Sequence, residues 1–115
     1  MSLSKRGEVW LVDLGEPRGH EQAGPRPALV LQTDFLAHLS TIVVIPLSTK
    51  PNRASSATNI PIPRGEAGLS RDSVALCHQI RALDKTRLQR KLGEVTAELL
   101  SEIEAAVAFL LSLPS

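Results

Sequence analysis

The chain is expected to be α+β, a small, strongly bent sheet or barrel of short strands closed by one C-terminal helix. Three observations point there. Several short, β-branched apolar runs are bounded by Gly, Pro and polar breakers. Prolines fall at the margins of these runs. Only the last twenty residues carry a helical period. At 115 residues, with 43% hydrophobic and 22% charged content, residues 1–115 are read as one domain of ordinary globular composition.

The elements follow in order. "GEVWLVDL" is rich in β-formers and stops at Gly15-Glu16-Pro17, so it is read as a first strand followed by a loop. "PALVLQT" and "STIVVIPL" are read as buried strands. Pro46 has no N–H to give a central ladder, so the third strand is expected to fray, bulge or lie at an edge near its end. "TKPNRASSA" is a polar loop, and "TNIPIP", with alternate prolines, fits only an edge strand or an extended segment. "RGEAGLSRDSVALCHQIRAL" supplies a glycine-rich turn and another strand pair, Asp84-Lys85 opens a brief turn, and "LQRKLGEV" follows. Thr96 then caps a helix with Glu98 in its first turn and Leu99, Ile103, Ala106, Val107 and Leu110 on one face, up to Pro114.

Composition excludes several classes. "TIVVIPL" and "AAVAFLLSL" fall well short of the roughly 20 residues of a membrane span. "MSLSKRGEVW" has no apolar stretch behind its charges, and one cysteine cannot form an internal disulfide, so a cytoplasmic protein is expected. Cys77, inside "SVALCHQI", is read as an inert core residue. The net charge of +1 hides an asymmetry. Residues 1–91 hold all 13 Lys and Arg against eight acids, a balance of +5, whereas Glu94, Glu98, Glu102 and Glu104 stand alone after them. A basic body of this kind attracts polyanions, although an ordinary solvated surface gives the same count.

No P-loop, dinucleotide fingerprint or paired-cysteine zinc motif occurs, and His20, His38 and His78 are scattered, so neither a metal nor a cofactor is expected. What remains is a set of polar groups beside strand ends: Arg18, His20, Glu21, Gln22 and Arg26 in one loop, Ser48 and Thr49 after a strand, and His78, Gln79 and Arg81 in another segment. An arginine fork suits a phosphate, an imidazole can move a proton near neutral pH, and a hydroxyl can donate to a phosphoryl oxygen. These are parts for metal-free phosphodiester cleavage. On the residues alone, a solvated strand lip, a loop histidine and a turn serine are the better account of them.

"RGEVWLVDLGEPRGHEQAGPRPALVLQ" resembles the opening of the MazF/PemK (Kid) toxin family, with its first strand R-G-(D/E)-(V/I)-W, its loop G-x-E-Q-x-G-x-R-P and an apolar strand. The resemblance continues through "IVVIPLST" and "RDSVALCHQIRALDK" to the C-terminal helix. It implies an SH3-like barrel of the CcdB/PemK type and a homodimer. It also implies a sequence-specific, ribosome-independent endoribonuclease that cuts single-stranded mRNA and is neutralised by a cognate antitoxin. Carried over residue by residue, Arg26 matches the catalytic arginine, Ser48 the position usually held by a catalytic threonine, and His20 the loop histidine of the Kid branch.

That branch has an aspartate where this chain has His78 and an arginine where it has Leu76. Under the resemblance Arg26 and Ser48 form the core, with His20, and His78 as an option, carrying protons. The RNA-binding set is expected to be Arg18, Glu21, Gln22, Pro27, Thr49, Lys50, Arg53, His78, Gln79 and Arg81, with Gln22 and Gln79 reading bases or orienting the RNA. With Trp10, Phe35 and Phe109 as the only aromatics, recognition leans on hydrogen bonds and charge more than on stacking. Two alternatives stand beside this reading. One is a CcdB-like gyrase poison, which would need a C-terminal tryptophan that "AFLLSLPS" lacks; the other is an inert relative that only binds RNA or antitoxin.

Overall fold

Residues 4–16, 18–50 and 57–114 are described by the structure, a computed structural model. Seven strands and one helix follow one another: β1 Glu8–Asp13, β2 Pro25–Val30, β3 Thr41–Ser48, β4 Asn59–Ile62, β5 Ser73–Leu76, β6 Arg81–Asp84, β7 Leu88–Glu94 and α1 Ala97–Leu110. All described pairings are antiparallel, along the path β4-β5-β3-β2-β1-β7 with β6 also on β3. The path has two ends, because β4 and β7 do not pair among the described residues, so the ladder itself does not close into the expected barrel. β4 lies at one of those ends with Pro61 inside it, as its alternate prolines require.

β3 departs from its expected description. It runs straight through Pro46, which is fully buried and opposite Ala28 of β2. The strand neither frays nor lies at an edge there. Leu31 N–H donates to Val43 O, and alternation from that pair makes Ala28–Pro46 a pair that exchanges no backbone bonds. On the other flank β3 pairs with β6 through Val44 and with β5 only from Leu47 onward. The missing N–H falls in this hand-over between partners and costs no ladder bond. The strand pair expected within 64–83 is likewise corrected: β5 and β6 lie one after the other along β3, separated by a single 3₁₀ turn at Cys77–Gln79.

Because side chains alternate along a strand, the apolar runs serve two cores. Val9, Leu29, Ile45, Leu47, Ile62, Ala75 and Cys77 pack with Leu99, Ile103, Ala106 and Val107 of α1. Val12, Ala28, Val30, Ile42, Val44 and Leu83 form the other cluster, under Trp10 and Leu88. The first cluster takes residues from both ends of the strand path, with Ile62 from β4 and Leu92 from β7, so the sheet wraps around it. Thr96 caps α1 by accepting the Leu99 N–H at 3.2 Å, and Arg6 ties the helix to the sheet by bonding both Glu104 and the Leu31 carbonyl.

Where the ladder stops, backbone meets backbone. A 3₁₀ turn at Glu66–Gly68 lies against β7, with Ala67 and Gly68 both in the left-handed region at φ 55° and 73°. A Cβ on Gly93 would lie 2.6 Å from the Ala67 oxygen and 2.8 Å from the Gly68 nitrogen. Both glycines are there because nothing larger fits.

One buried carboxylate braces β1 to β7. Glu8 is 5% exposed, and it accepts the Lys5 N–H at 2.8 Å, the Trp10 indole N–H at 3.0 Å and the Lys91 ammonium at 2.9 Å. Burial alone would raise its pKa, but these donors together outweigh burial and hold it below the ordinary carboxylate value. A depressed folded pKa means that the contribution is present above the unfolded value, about 4.3, and is lost as pH falls through the lowered one. Glu8→Gln is expected to cost about 1–3 kcal/mol at neutral pH and to weaken the loss of stability on acidification. Urea unfolding of both proteins between neutral and acid pH checks this.

Candidate functional site

The polar groups expected to share chemistry lie on three segments that the sheet brings together. β1 and β2 are joined by residues 14–24, β3 delivers Ser48 at its C-terminal end, and Thr49-Lys50 follows it. Gly19, His20, Glu21, Gln22, Ala23, Arg26, Ser48, Thr49 and Lys50 line one groove of about 410 Å³. Its walls are mainly polar, as an ionic substrate requires.

Arg26 stands on the exposed side of β2, opposite Val12 of β1. Its Nε–H donates to the Ala23 carbonyl at 3.2 Å, which orients the guanidinium and leaves its two Nη groups available at the groove. Pro25 and Pro27 flank it and fix φ on either side, so the side chain leaves from a stiff piece of backbone. Pro27 itself is half-buried opposite Leu11 and is not a groove residue.

Ser48 is 6% exposed, opposite Val74 of β5, and its Oγ accepts the Lys50 N–H at 3.2 Å. A hydroxyl has one proton to give and two lone pairs, so this bond leaves the proton for a group in the groove. His20, Glu21, Thr49 and Lys50 are exposed there. The structure therefore brings together His20, Arg26 and Ser48, with Glu21, Gln22, Thr49 and Lys50 around them.

Other expected residues lie elsewhere. Arg18 is exposed in the same loop, its carbonyl accepting the Glu21 N–H, but it is not in the groove wall. His78 is exposed on the 77–79 turn, outside that wall. Arg81 donates to the Leu14 carbonyl at 3.4 Å and so braces the base of the loop. Gln79 bonds the loop backbone with both ends of its amide, which orients the carboxamide and leaves one N–H and one lone pair for a further partner. Arg53 lies outside the described residues.

Cys77 is inert by position. Its thiol is fully buried, and burial pushes its pKa up to about 11. Iodoacetamide is expected to leave the native protein unmodified at pH 8 over an hour and to label it fully in denaturant, as read by mass spectrometry. Among the described residues no three His, Cys, Asp or Glu converge as a metal-binding group, and no helix is long and apolar enough to cross a membrane. A larger concavity, about 590 Å³, is bordered by Lys5, Asp34, His38 and Asp84, with mostly apolar walls and none of the residues above.

The arrangement has relatives. Residues 5–111 match the pattern of PemK-like, MazF-like toxins of type II toxin-antitoxin systems. The chain is 36% identical over 112 residues to the endoribonuclease MazF of Staphylococcus saprophyticus, covering 96% of this chain and 93% of that one. In three dimensions it is similar to a mycobacterial endoribonuclease in complex with its cognate antitoxin, at a TM-score of 0.77 and 28% identity, covering 100% of this chain and 99% of that one. The crystal structure of MazF from Deinococcus radiodurans superposes with a TM-score of 0.84 over 98% of this chain and 100% of the other; at 24% identity it speaks for the fold alone. Pattern, identity and fold extend over nearly the whole chain, which belongs to the PemK-like, MazF-like family of type II toxins.

Proposed function

We propose that this protein is a sequence-specific, ribosome-independent endoribonuclease toxin that cuts single-stranded mRNA and is held inactive by a cognate antitoxin. The observation that carries the reading is the groove where His20, Arg26 and Ser48, from a loop, a strand start and a strand end, face one space. The endoribonuclease relative and the antitoxin complex of the mycobacterial neighbour support the same activity and partner.

In this mechanism the ribose 2′-hydroxyl attacks the adjacent phosphorus, the bond to the 5′-oxygen breaks, and the products are a 2′,3′-cyclic phosphate and a 5′-hydroxyl. Negative charge grows on the nonbridging oxygens as the new bond forms. The Arg26 fork and the Ser48 hydroxyl donate to those oxygens, so they hold the transition state more tightly than the ground state. His20 takes the 2′ proton or returns one to the leaving oxygen. No metal is needed, because Arg26 supplies the positive charge. Glu21, Gln22, Thr49 and Lys50 contact the flanking nucleotides.

The protein works as a single-domain homodimer in the cytoplasm, its sheet wrapped in the manner of an SH3-like barrel, with the 66–68 turn spanning the seam. Exposed Phe109 and Leu111 beyond the helix core, with half-buried Leu110, support a two-fold contact at that end. The antitoxin is an acidic, partly disordered chain that covers the groove.

The test is incubation of the pure protein with a long single-stranded RNA in excess chelator. Cuts at a recurring short sequence are expected, and His20→Ala is expected to slow them at least tenfold. Intact RNA in the presence of folded protein would favour an inert binder. Gyrase inhibition without RNA cutting would favour the CcdB-like alternative.

A further inference from the structure

Residues 18–23 pair with no strand, yet they carry His20 into the groove. The base of their loop is secured by backbone: Leu14 N–H donates to Gly24 O and Gly24 N–H to Gly15 O, both at 2.9 Å. Farther out, the backbone bond within the loop is local, from Glu21 N–H to Arg18 O. Gly19, at φ 58° with open space around it, gives the tip no packing. Among the described residues, one side chain from the body of the protein bonds the 20–22 backbone. The Gln79 Oε1 accepts the Gln22 N–H at 2.8 Å, and its Nε2 donates to the His20 carbonyl at 3.1 Å.

We infer that Gln79 is a positioning residue whose carboxamide acts as a surrogate strand, holding the 20–22 backbone so that His20 is fixed relative to Arg26 and Ser48. The chemistry of the pair is specific. One end must accept from an N–H and the other must donate to a carbonyl two residues back, which a primary amide does and a carboxylate does not. Reversing the amide would set N–H against N–H and oxygen against oxygen, so the bonding pattern determines its orientation.

The support behind Gln79 is stiff. It ends a 3₁₀ turn that begins at fully buried Cys77, whose N–H bonds the Thr58 carbonyl at 3.0 Å, while the Ile80 N–H closes the turn onto Cys77 O at 3.2 Å. The core under α1 thus sets the place of an exposed loop through one amide. The inference rests on the endoribonuclease reading for its catalytic consequence, but the anchor itself is separable from it.

The experiment compares wild type with Gln79→Met, which loses both bonds, and Gln79→Glu, which keeps the acceptor for Gln22 and sets an oxygen against the His20 carbonyl. Steady-state cleavage of a short RNA and amide hydrogen exchange are measured on each. In Gln79→Met, kcat is expected to fall at least tenfold, with KM within threefold, the same cleavage site and faster exchange at the Gln22 amide. In Gln79→Glu, Gln22 protection is expected to persist while kcat falls.

A kcat within twofold of wild type, or unchanged Gln22 exchange in Gln79→Met, would overturn the anchor. A shifted cleavage sequence would overturn it in favour of base reading by Gln79. If the wild type cuts no RNA, the functional reading fails while exchange at Gln22 still decides the anchor. If Gln79→Met does not fold, Gln79→Glu decides by its kcat, because retained activity there contradicts the need for the donor end.

Discussion

Replacing Arg26 with alanine is expected to lower kcat for RNA cleavage by roughly 10² to 10³ while leaving the melting temperature nearly unchanged. The two halves of this expectation come from different parts of the structure. The guanidinium is exposed, and its one hydrogen bond, from Nε to the Ala23 carbonyl, serves to aim it rather than to hold the fold. Its removal leaves no buried group unpaired. In the groove it is the strongest donor beside the Ser48 hydroxyl, and among the described residues no other guanidinium lines the space where charge develops on phosphoryl oxygens. Arg26→Lys keeps the charge and loses the planar fork, so it is expected to recover only part of the rate. Single-turnover kinetics beside thermal melts check all three proteins.

Gly93→Ala is expected to be strongly damaging at the seam, costing about 3 kcal/mol or more. At about 4 °C per kcal/mol for a domain of this size, the melting temperature should fall by more than about 10 °C. The methyl would meet the backbone of Ala67 and Gly68, which cannot rotate away as a side chain can. Gly68→Ala meets the Leu92 carbonyl in the same manner and adds strain at φ 73°. Gly19→Ala is the control. It has left-handed strain at φ 58° but nothing within 4 Å, so it is expected to cost about 1–2 kcal/mol. A Gly93→Ala protein melting within a few degrees of wild type would show that the turn moves freely from β7.

Elements whose cause is local were legible in the sequence. Thr96 with Glu98 and the Leu99-Ile103-Ala106-Val107 face announced the helix, and the alternate prolines of "TNIPIP" allowed only an edge strand or an extended segment. Pro46 shows where local reasoning stops: the missing N–H is real, but where it falls depends on β3 changing partners from β6 to β5, a fact of long-range pairing. For the same reason 64–83 read as a turn and a strand pair, although each strand pairs with β3.

The site divides in the same way. His20, Arg26 and Ser48 carry chemistry that can be named from residue type, and a family resemblance brings them together. Gln79 reads in sequence as a residue that reads bases or orients the RNA, and only the fold, across a separation of 57 positions, turns its amide onto the loop. The seam glycines were equally silent, since Gly68 and Gly93 look like ordinary turn and strand residues until their backbones meet.

In the proposed mechanism the groove of His20, Arg26 and Ser48 drives attack by the RNA's own 2′-hydroxyl. The most direct measurement uses a short RNA carrying a single 2′-deoxy nucleotide on the 5′ side of the scissile phosphate, incubated with the wild-type protein in chelator, with products read by mass spectrometry. The all-ribose RNA is expected to yield a 2′,3′-cyclic phosphate and a 5′-hydroxyl, and the 2′-deoxy RNA to remain intact at that position. Cutting of the 2′-deoxy RNA at the same bond, or a 5′-phosphate on the product of either RNA, would contradict this mechanism.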